Sequence, residues 1–238
     1  MRKAALFLLP VVLLGCYRSR DYQVDPGTVL QFGAHPASAP ADGATLVTIK
    51  VTCPDVVGYP NAGTAAAFTT TLGKLLPASG PVPFDATGTA TCQLQSPSQT
   101  GTAILQASVV VGGSTYAATQ TLDYVPALPE AIVVAPSALN LVALTASTTT
   151  PPAPVTLALQ TQRAMGTVTP GQLLTLTAVD STGAPIGLIA DPQVYTNATG
   201  GASTVFALGL TSYLGPITIT ATAAGTTVTG TVTLDVVN

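Results

Sequence analysis

The side chains able to do chemistry are few, and their spacing limits what that chemistry can be. The chain has one histidine, His35, one glutamate, Glu130, and three cysteines, Cys16, Cys53 and Cys92. His35 stands in Gly33-Ala34-His35-Pro36-Ala37, a loop or edge context with no orienting partner in the sequence around it. A nucleophile–base relay therefore has no evident members. Glu130 sits beside Pro129, and a carboxylate pair for glycoside chemistry would have to come from scattered aspartates. There is no Cys-x-x-Cys, and one histidine leaves a zinc site short of ligands. No glycine-rich phosphate cradle precedes a helix. Calcium is the one ligand chemistry worth keeping. Asp42, Asp55, Asp85, Asp123, Asp180 and Asp191 lie near turns, and hard cations collect oxygens from such loops. The competing reading is that these aspartates cap turns. It is preferred because no Asp-x-Asp-x-Asp-Gly cluster exists. The expectation is a protein that is not an enzyme and needs no cofactor or metal.

One cysteine has a different context. Arg2 and Lys3 are followed by an apolar stretch from Ala4 to Leu14, then Gly15 and Cys16. The apolar run is 11 residues, whereas a spanning helix needs about 20. Its length suits the core of a signal peptide. The run Leu13-Leu14-Gly15-Cys16 resembles a bacterial lipobox. The resemblance implies a cleaved signal peptide over 1–15, a lipid on Cys16 and a tether over 16–27. An ordinary secretory signal is the weaker reading, because Leu-Leu-Gly-Cys falls where the apolar stretch ends. No Asp follows Cys16. In well-studied enteric bacteria an Asp there resembles an inner-membrane retention signal, so its absence favours the outer membrane. In such a protein the sequon-like Asn197-Ala198-Thr199 is read as chance.

Lipidation of Cys16 leaves Cys53 and Cys92 in an oxidising compartment, where a disulfide persists. Closing a loop of about 40 residues would stabilise the fold by about 4 kcal/mol on the chain-entropy model. The other possibility is two buried thiols. The chain carries 7 Lys+Arg and 10 Asp+Glu. Removing Arg2 and Lys3 leaves 5 against 10, a net charge of −5, which disfavours nucleic acid. Charged residues are only 7% of the chain, against roughly 25% in typical soluble domains. The polar surface must therefore be carried by Thr, Ser, Gln and Asn.

The elements that would position these residues are strands. Val47, Ile49, Val51 and Cys53 alternate with Thr48, Lys50 and Thr52, and 104–110, 217–222 and 228–234 also read with period two. Turn signals stand at Asp42-Gly43, Gly112-Gly113, Gly200-Gly201 and Ala224-Gly225. No amphipathic helix follows the signal. The expected fold class is all-β, two tandem antiparallel sandwiches over 28–125 and 131–238, joined by a stiff proline-containing linker over 126–130; that they are immunoglobulin-like is implied by the resemblance given below.

The tandem arrangement rests on a repeat. Residues 102–125 and 216–237 each hold a hairpin, and they end alike in Leu122-Asp123-Tyr124-Val125 and Leu234-Asp235-Val236-Val237. A glycine precedes each, Gly101 or Gly215, and nine residues before these stand Cys92 and Phe206. Matching 47–53 to 173–178 then aligns Cys53 with Ala178 and Cys92 with Phe206. On this alignment a disulfide in the first unit is replaced by packing in the second.

Pro40-Ala41-Asp42-Gly43-Ala44-Thr45-Leu46-Val47 resembles the opening strand of bacterial immunoglobulin-like domains of the invasin and intimin type. Thr87-Gly88-Thr89-Ala90, Thr100-Gly101-Thr102-Ala103 and Ala178-Val179-Asp180-Ser181-Thr182-Gly183-Ala184-Pro185 resemble later strands of that family. The resemblance implies stalks, adhesins and envelope modules without a common active site. The expected function is a lipid-anchored, adhesin-like binding or spacer protein, held in the membrane through Cys16 and contacting a protein or a glycan. The rivals are a periplasmic accessory subunit docking on an envelope complex and, more weakly, a hydrolase.

Overall fold

The computed structural model describes residues 30–53, 64–78, 80–111, 113–143 and 151–238. Leu13, Leu14, Gly15 and Cys16, the tether and Asp55 lie outside them. The described residues form strands and no helix. In the first sandwich β1 (Gln31–Phe32), β3 (Leu46–Thr52), β7 (Thr89–Gln95) and β5 (Lys74–Leu76) make one sheet in the order β1-β3-β7-β5. The facing sheet is β2-β9-β8-β4-β6, from β2 (Ser38–Pro40), β9 (Ser114–Val125), β8 (Gly101–Val111), β4 (Ala65–Thr70) and β6 (Val82–Pro83). The second sandwich repeats this plan. One sheet is β10-β12-β16-β14, from β10 (Ala131–Pro136), β12 (Val155–Gln162), β16 (Gly201–Ala207) and β14 (Leu188–Ile189). The other is β11-β18-β17-β13-β15, from β11 (Asn140–Val142), β18 (Thr229–Val237), β17 (Gly215–Ala223), β13 (Leu173–Val179) and β15 (Gln193–Tyr195).

The period-two pattern predicts which faces are inside, and burial follows it. Val47, Ile49 and Val51 of β3 are buried between exposed Leu46, Thr48 and Lys50. Val155, Leu157 and Leu159 of β12 alternate with exposed neighbours in the same way. The second core centres on Phe206, Leu157, Leu174, Ile217, Ile219 and Leu234, all essentially inaccessible. Each such side chain stabilises the fold by about 1.5–3 kcal/mol. In each unit the first strand crosses between sheets. β1 pairs antiparallel with β3 and β2 parallel with β9, as β10 does with β12 and β11 with β18. Gly230 permits the close approach of β10, since a Cβ there would press on the carbonyl of Ile132.

Register corrects the internal alignment. β3 corresponds to β12, and β13 corresponds to β4. Cys92 lies opposite Ile49, and Thr204 opposite Leu157. The Cys53 N–H donates to Gly88 O at 2.9 Å, as the Thr161 N–H does to Gly200 O at 3.0 Å. Cys53 therefore matches Thr161, not Ala178, and Cys92 matches Thr204, not Phe206. Phe206 takes the place of Leu94, each packed opposite a valine of the neighbouring strand. Counting back a fixed distance from Gly101 and Gly215 fails because the loop over 208–214 is two residues longer than that over 96–100.

The expected Cys53–Cys92 disulfide is corrected as well. Both side chains are buried, but no disulfide joins them. Cys53 stands four positions along β3 from the partner of Cys92, about 13 Å at ~3.3 Å per residue. A disulfide needs Cα atoms within about 7 Å. The two residues also belong to different core clusters. The Asp191 N–H donates to the Thr204 hydroxyl at 3.1 Å. The corresponding residue of the first sandwich is Pro77, which has no N–H to offer, and there the apolar Cys92 stands in place of a threonine.

Candidate functional site: a clasped joint between the sandwiches

The turn between β2 and β3 is built by Asp42. Its carboxylate accepts the N–H groups of Ala44 (2.9 Å) and Thr45 (2.8 Å) and the Thr45 hydroxyl (2.6 Å). Burial alone would raise its pKa. The Thr45 and Ala44 hydrogen bonds, together with the charge of Arg163, outweigh this and hold the carboxyl below its ordinary range. The carboxylate thus fixes the turn whose main chain faces the second sandwich.

The second sandwich meets that turn with the loop between β12 and β13. Thr167 N–H donates to Asp42 O at 2.9 Å. The Thr169 hydroxyl donates to Ala41 O at 3.0 Å and accepts the Ala127 N–H at 2.8 Å. Thr169 N–H donates to Ala127 O at 3.1 Å. Gly166, at φ +69°, lies so close to Asp42 that a Cβ would touch its carbonyl oxygen and stand 2.9 Å from both its Cβ and its Cγ. Glu130 and Arg163 brace the same loop. Their charged groups are 3.8 Å apart, Ala164 N–H donates to Glu130 Oε2 at 2.8 Å, and Arg163 Nη1 donates to Leu128 O. The joint can hold a fixed angle between sandwiches, and its reagents are hydrogen bonds and shape.

The other candidate residues do not gather into a site. Asp85 accepts the Thr87 hydroxyl (2.6 Å) and N–H (2.8 Å) and the Thr89 N–H (3.0 Å). Asp180 accepts the Thr182 hydroxyl (2.7 Å) and N–H (2.8 Å) and the Ala184 N–H (2.9 Å). Asn197 does the same with Thr199 and Gly201. Each turn has a positive-φ glycine three residues on, at Gly88, Gly183 and Gly200. The sequence Asp/Asn-x-Thr-Gly is thus a turn module, in which the Oδ1 of the first residue is committed to local donors. These hydrogen bonds, first those from the Thr hydroxyls, hold Asp85 and Asp180 below the usual carboxylate range. Asp123 accepts the Thr102 hydroxyl across the ladder at 2.7 Å. Among the described residues no three of His, Cys, Asp and Glu converge as a metal site would require.

His35 lies where the chain crosses from β1 to β2. Its Nδ1 donates to Pro36 O at 2.8 Å, and among the described residues its Nε2 has no hydrogen-bond partner. Burial pushes the Cys92 thiol up to about 11, so its thiolate is scarce. Sequence reasoning missed the joint. Its acceptors are main-chain carbonyls, which have no signature, and Thr167 and Thr169 are ordinary residues of a Thr-rich chain. The available signal was Glu130, the chain's one glutamate.

Residues 28–127 match the family model described as Invasin, domain 3. No curated protein matches the chain. Among solved structures, the adhesin InvE of Yersinia pseudotuberculosis aligns with TM-score 0.50 and 22% identity, over 89% of this chain and 59% of that one. Invasin, described as a bacterial integrin-binding protein, aligns with TM-score 0.53 and 20% identity, over 87% of this chain and 39% of that one. The chain therefore spans less than two thirds of either structure. Both sandwiches share the fold of these structures, and the match to the family model falls on the first.

Proposed function

We propose that the chain is a lipid-anchored binding and spacer protein of the bacterial envelope, with Cys16 as the lipidated residue and the two sandwiches projecting from the outer membrane. The observation that carries this reading is the joint. A loop of the second sandwich is hydrogen-bonded to the Asp42 turn of the first, with Gly166 packed against that turn. Two modules clasped in this way act as a stiff arm, which is what a spacer requires. The adhesin description of InvE and the integrin-binding description of invasin support a binding role at the cell surface.

The test is fractionation and protease accessibility. Cys16→Ser should move the protein from the membrane fraction to the soluble fraction, and its retention in the membrane fraction would refute the lipid anchor. With a tag after Asn238, digestion on intact cells supports surface projection. Protection until the outer membrane is permeabilised would refute it and place the module in the periplasm.

A further inference from the structure

The partner-binding role proposed above leaves the partner's chemistry open, and one face of the second sandwich narrows it. On the five-stranded sheet, Leu174, Leu176, Ile217, Ile219, Ala221 and Leu234 point into the core. The residues between them point out, and they are threonines. Register sets them in rungs across β13, β17 and β18. Thr175, Thr222 and Thr229 form one rung, Thr177, Thr220 and Thr231 the next, and Thr218 and Thr233 the third. Strand geometry spaces these side chains about 4.8 Å apart across strands and about 6.8 Å along them. On the edge strand, Gln193 extends the first rung beside Thr175, and Tyr195 pairs with Leu173 one step beyond. Tyr195 is 68% exposed.

None of the eight hydroxyls, nor the Gln193 amide or the Tyr195 hydroxyl, has a hydrogen-bond partner among the described residues. Each hydroxyl can donate one bond and accept two. The corresponding face of the first sandwich differs. There Thr102 is bonded to Asp123, and Ile104 and Val110 are exposed. The threonine grid is therefore not a requirement of the fold.

Charge excludes several ligand classes. Between residues 131 and 238 the one cation is Arg163, and it is engaged with Glu130 at the joint. Nucleic acids and anionic glycans need cationic contacts that this sandwich does not have. A protein partner needs apolar, aromatic or arginine anchors in the centre of the contact, and the centre of this face is threonine. We infer that the outer face of this sheet binds a neutral polysaccharide, with Tyr195 stacking on a sugar ring and Thr175, Thr177, Thr220 and Thr222 exchanging hydrogen bonds with its hydroxyls. Single hydroxyl contacts in water are weak, so a short oligosaccharide binds loosely and a long chain engages several rungs at once.

Native electrophoresis of the full chain in gels cast with a neutral mixed-linkage β-glucan, a galactomannan or dextran tests this, with alginate of similar size as the anionic comparison. Retardation by at least one neutral polymer and not by alginate is expected. Tyr195→Ala should weaken it about fivefold or more. The double variant Thr177→Val, Thr220→Val keeps the β-branched shape, removes two central hydroxyls and should weaken it similarly. Loss in either variant, with an unchanged melting temperature, supports the assignment. No retardation by any neutral polymer, retardation by alginate, or retardation undiminished in both variants overturns it. A chain that fails here but is still released from membranes by Cys16→Ser leaves the anchored spacer reading intact.

Discussion

Gly166→Ala should open the joint while leaving both sandwiches folded. Gly166 has φ +69°, and a side chain in that region costs roughly 1–2 kcal/mol. The new methyl would also displace Asp42, whose carbonyl accepts the Thr167 N–H, and disturb the neighbouring bond from Thr169 to Ala41. Two hydrogen bonds at about 1 kcal/mol each bring the effect on the closed joint to about 3–4 kcal/mol. Gly171 provides the control. It lies in the same loop at φ +82°, but a Cβ there meets nothing within 4 Å. Gly171→Ala therefore carries the backbone cost of about 1–2 kcal/mol without the collision. Small-angle X-ray scattering reads the difference. The wild-type chain and Gly171→Ala should give the same narrow distribution of interatomic distances, and Gly166→Ala a broader one. Circular dichroism should show unchanged strand content in all three. If Gly166→Ala scatters like wild type, or Gly171→Ala broadens equally, the contact with Asp42 does not hold the joint.

Three other outcomes follow from the same geometry. In a Cys16→Ser background, thiol titration under native conditions should find neither Cys53 nor Cys92 reactive, and unfolding without reductant should release two thiols; finding none would restore the disulfide. Gly230→Ala should destabilise the second sandwich by about 1–3 kcal/mol through overpacking against Ile132, measured by urea unfolding, and a neutral effect would mean that β10 yields. Asp42 has a folded pKa below its unfolded value of about 3.9, so its contribution is complete above that pH and is lost as pH falls through the folded pKa. Between pH 5 and 2.5 the melting temperature of wild type should fall more steeply than that of Asp42→Asn, and parallel curves would remove Asp42 from the joint.

The parts legible in the sequence are those where one residue's neighbours determine its environment. Val47, Ile49 and Val51 announce an inward face because strand side chains alternate. The shared endings of β9 and β18 are equivalent in space, since Asp123 pairs with Ser38 and Asp235 with Asn140 in matching parallel registers. Asp85, Asp180 and Asn197 were readable as turn formers from the Thr two residues on and the Gly three on. The middle of the repeat was misread for a local reason. Residues 173–178 alternate as 47–53 do, but so do 155–162, and alternation does not say which strand is meant. Position along the fold decides it, and that depends on loop lengths. The two extra residues over 208–214 moved the match from Thr204 to Phe206. The disulfide was expected from the cysteine count and the compartment, and the ladder register, which the sequence does not carry, sets Cys53 four positions from the partner of Cys92.

The low charge of the chain hid the joint. A sequence reader finds interfaces through aromatic anchors and charge pairs, and this chain has few of either. Its one bracing ion pair, Glu130 with Arg163, is partly solvated, and such pairs contribute little by themselves. The specific contacts instead end on main-chain carbonyls whose positions are set elsewhere. Asp42 fixes the turn through Ala44 and Thr45, the turn presents the carbonyls of Ala41 and Asp42, and Gly166 lets the opposing loop come near enough to use them. Removing the Asp42 carboxylate would therefore act on the joint without touching any atom that crosses it. The joint is held by side chains that each look, in sequence, like ordinary turn residues.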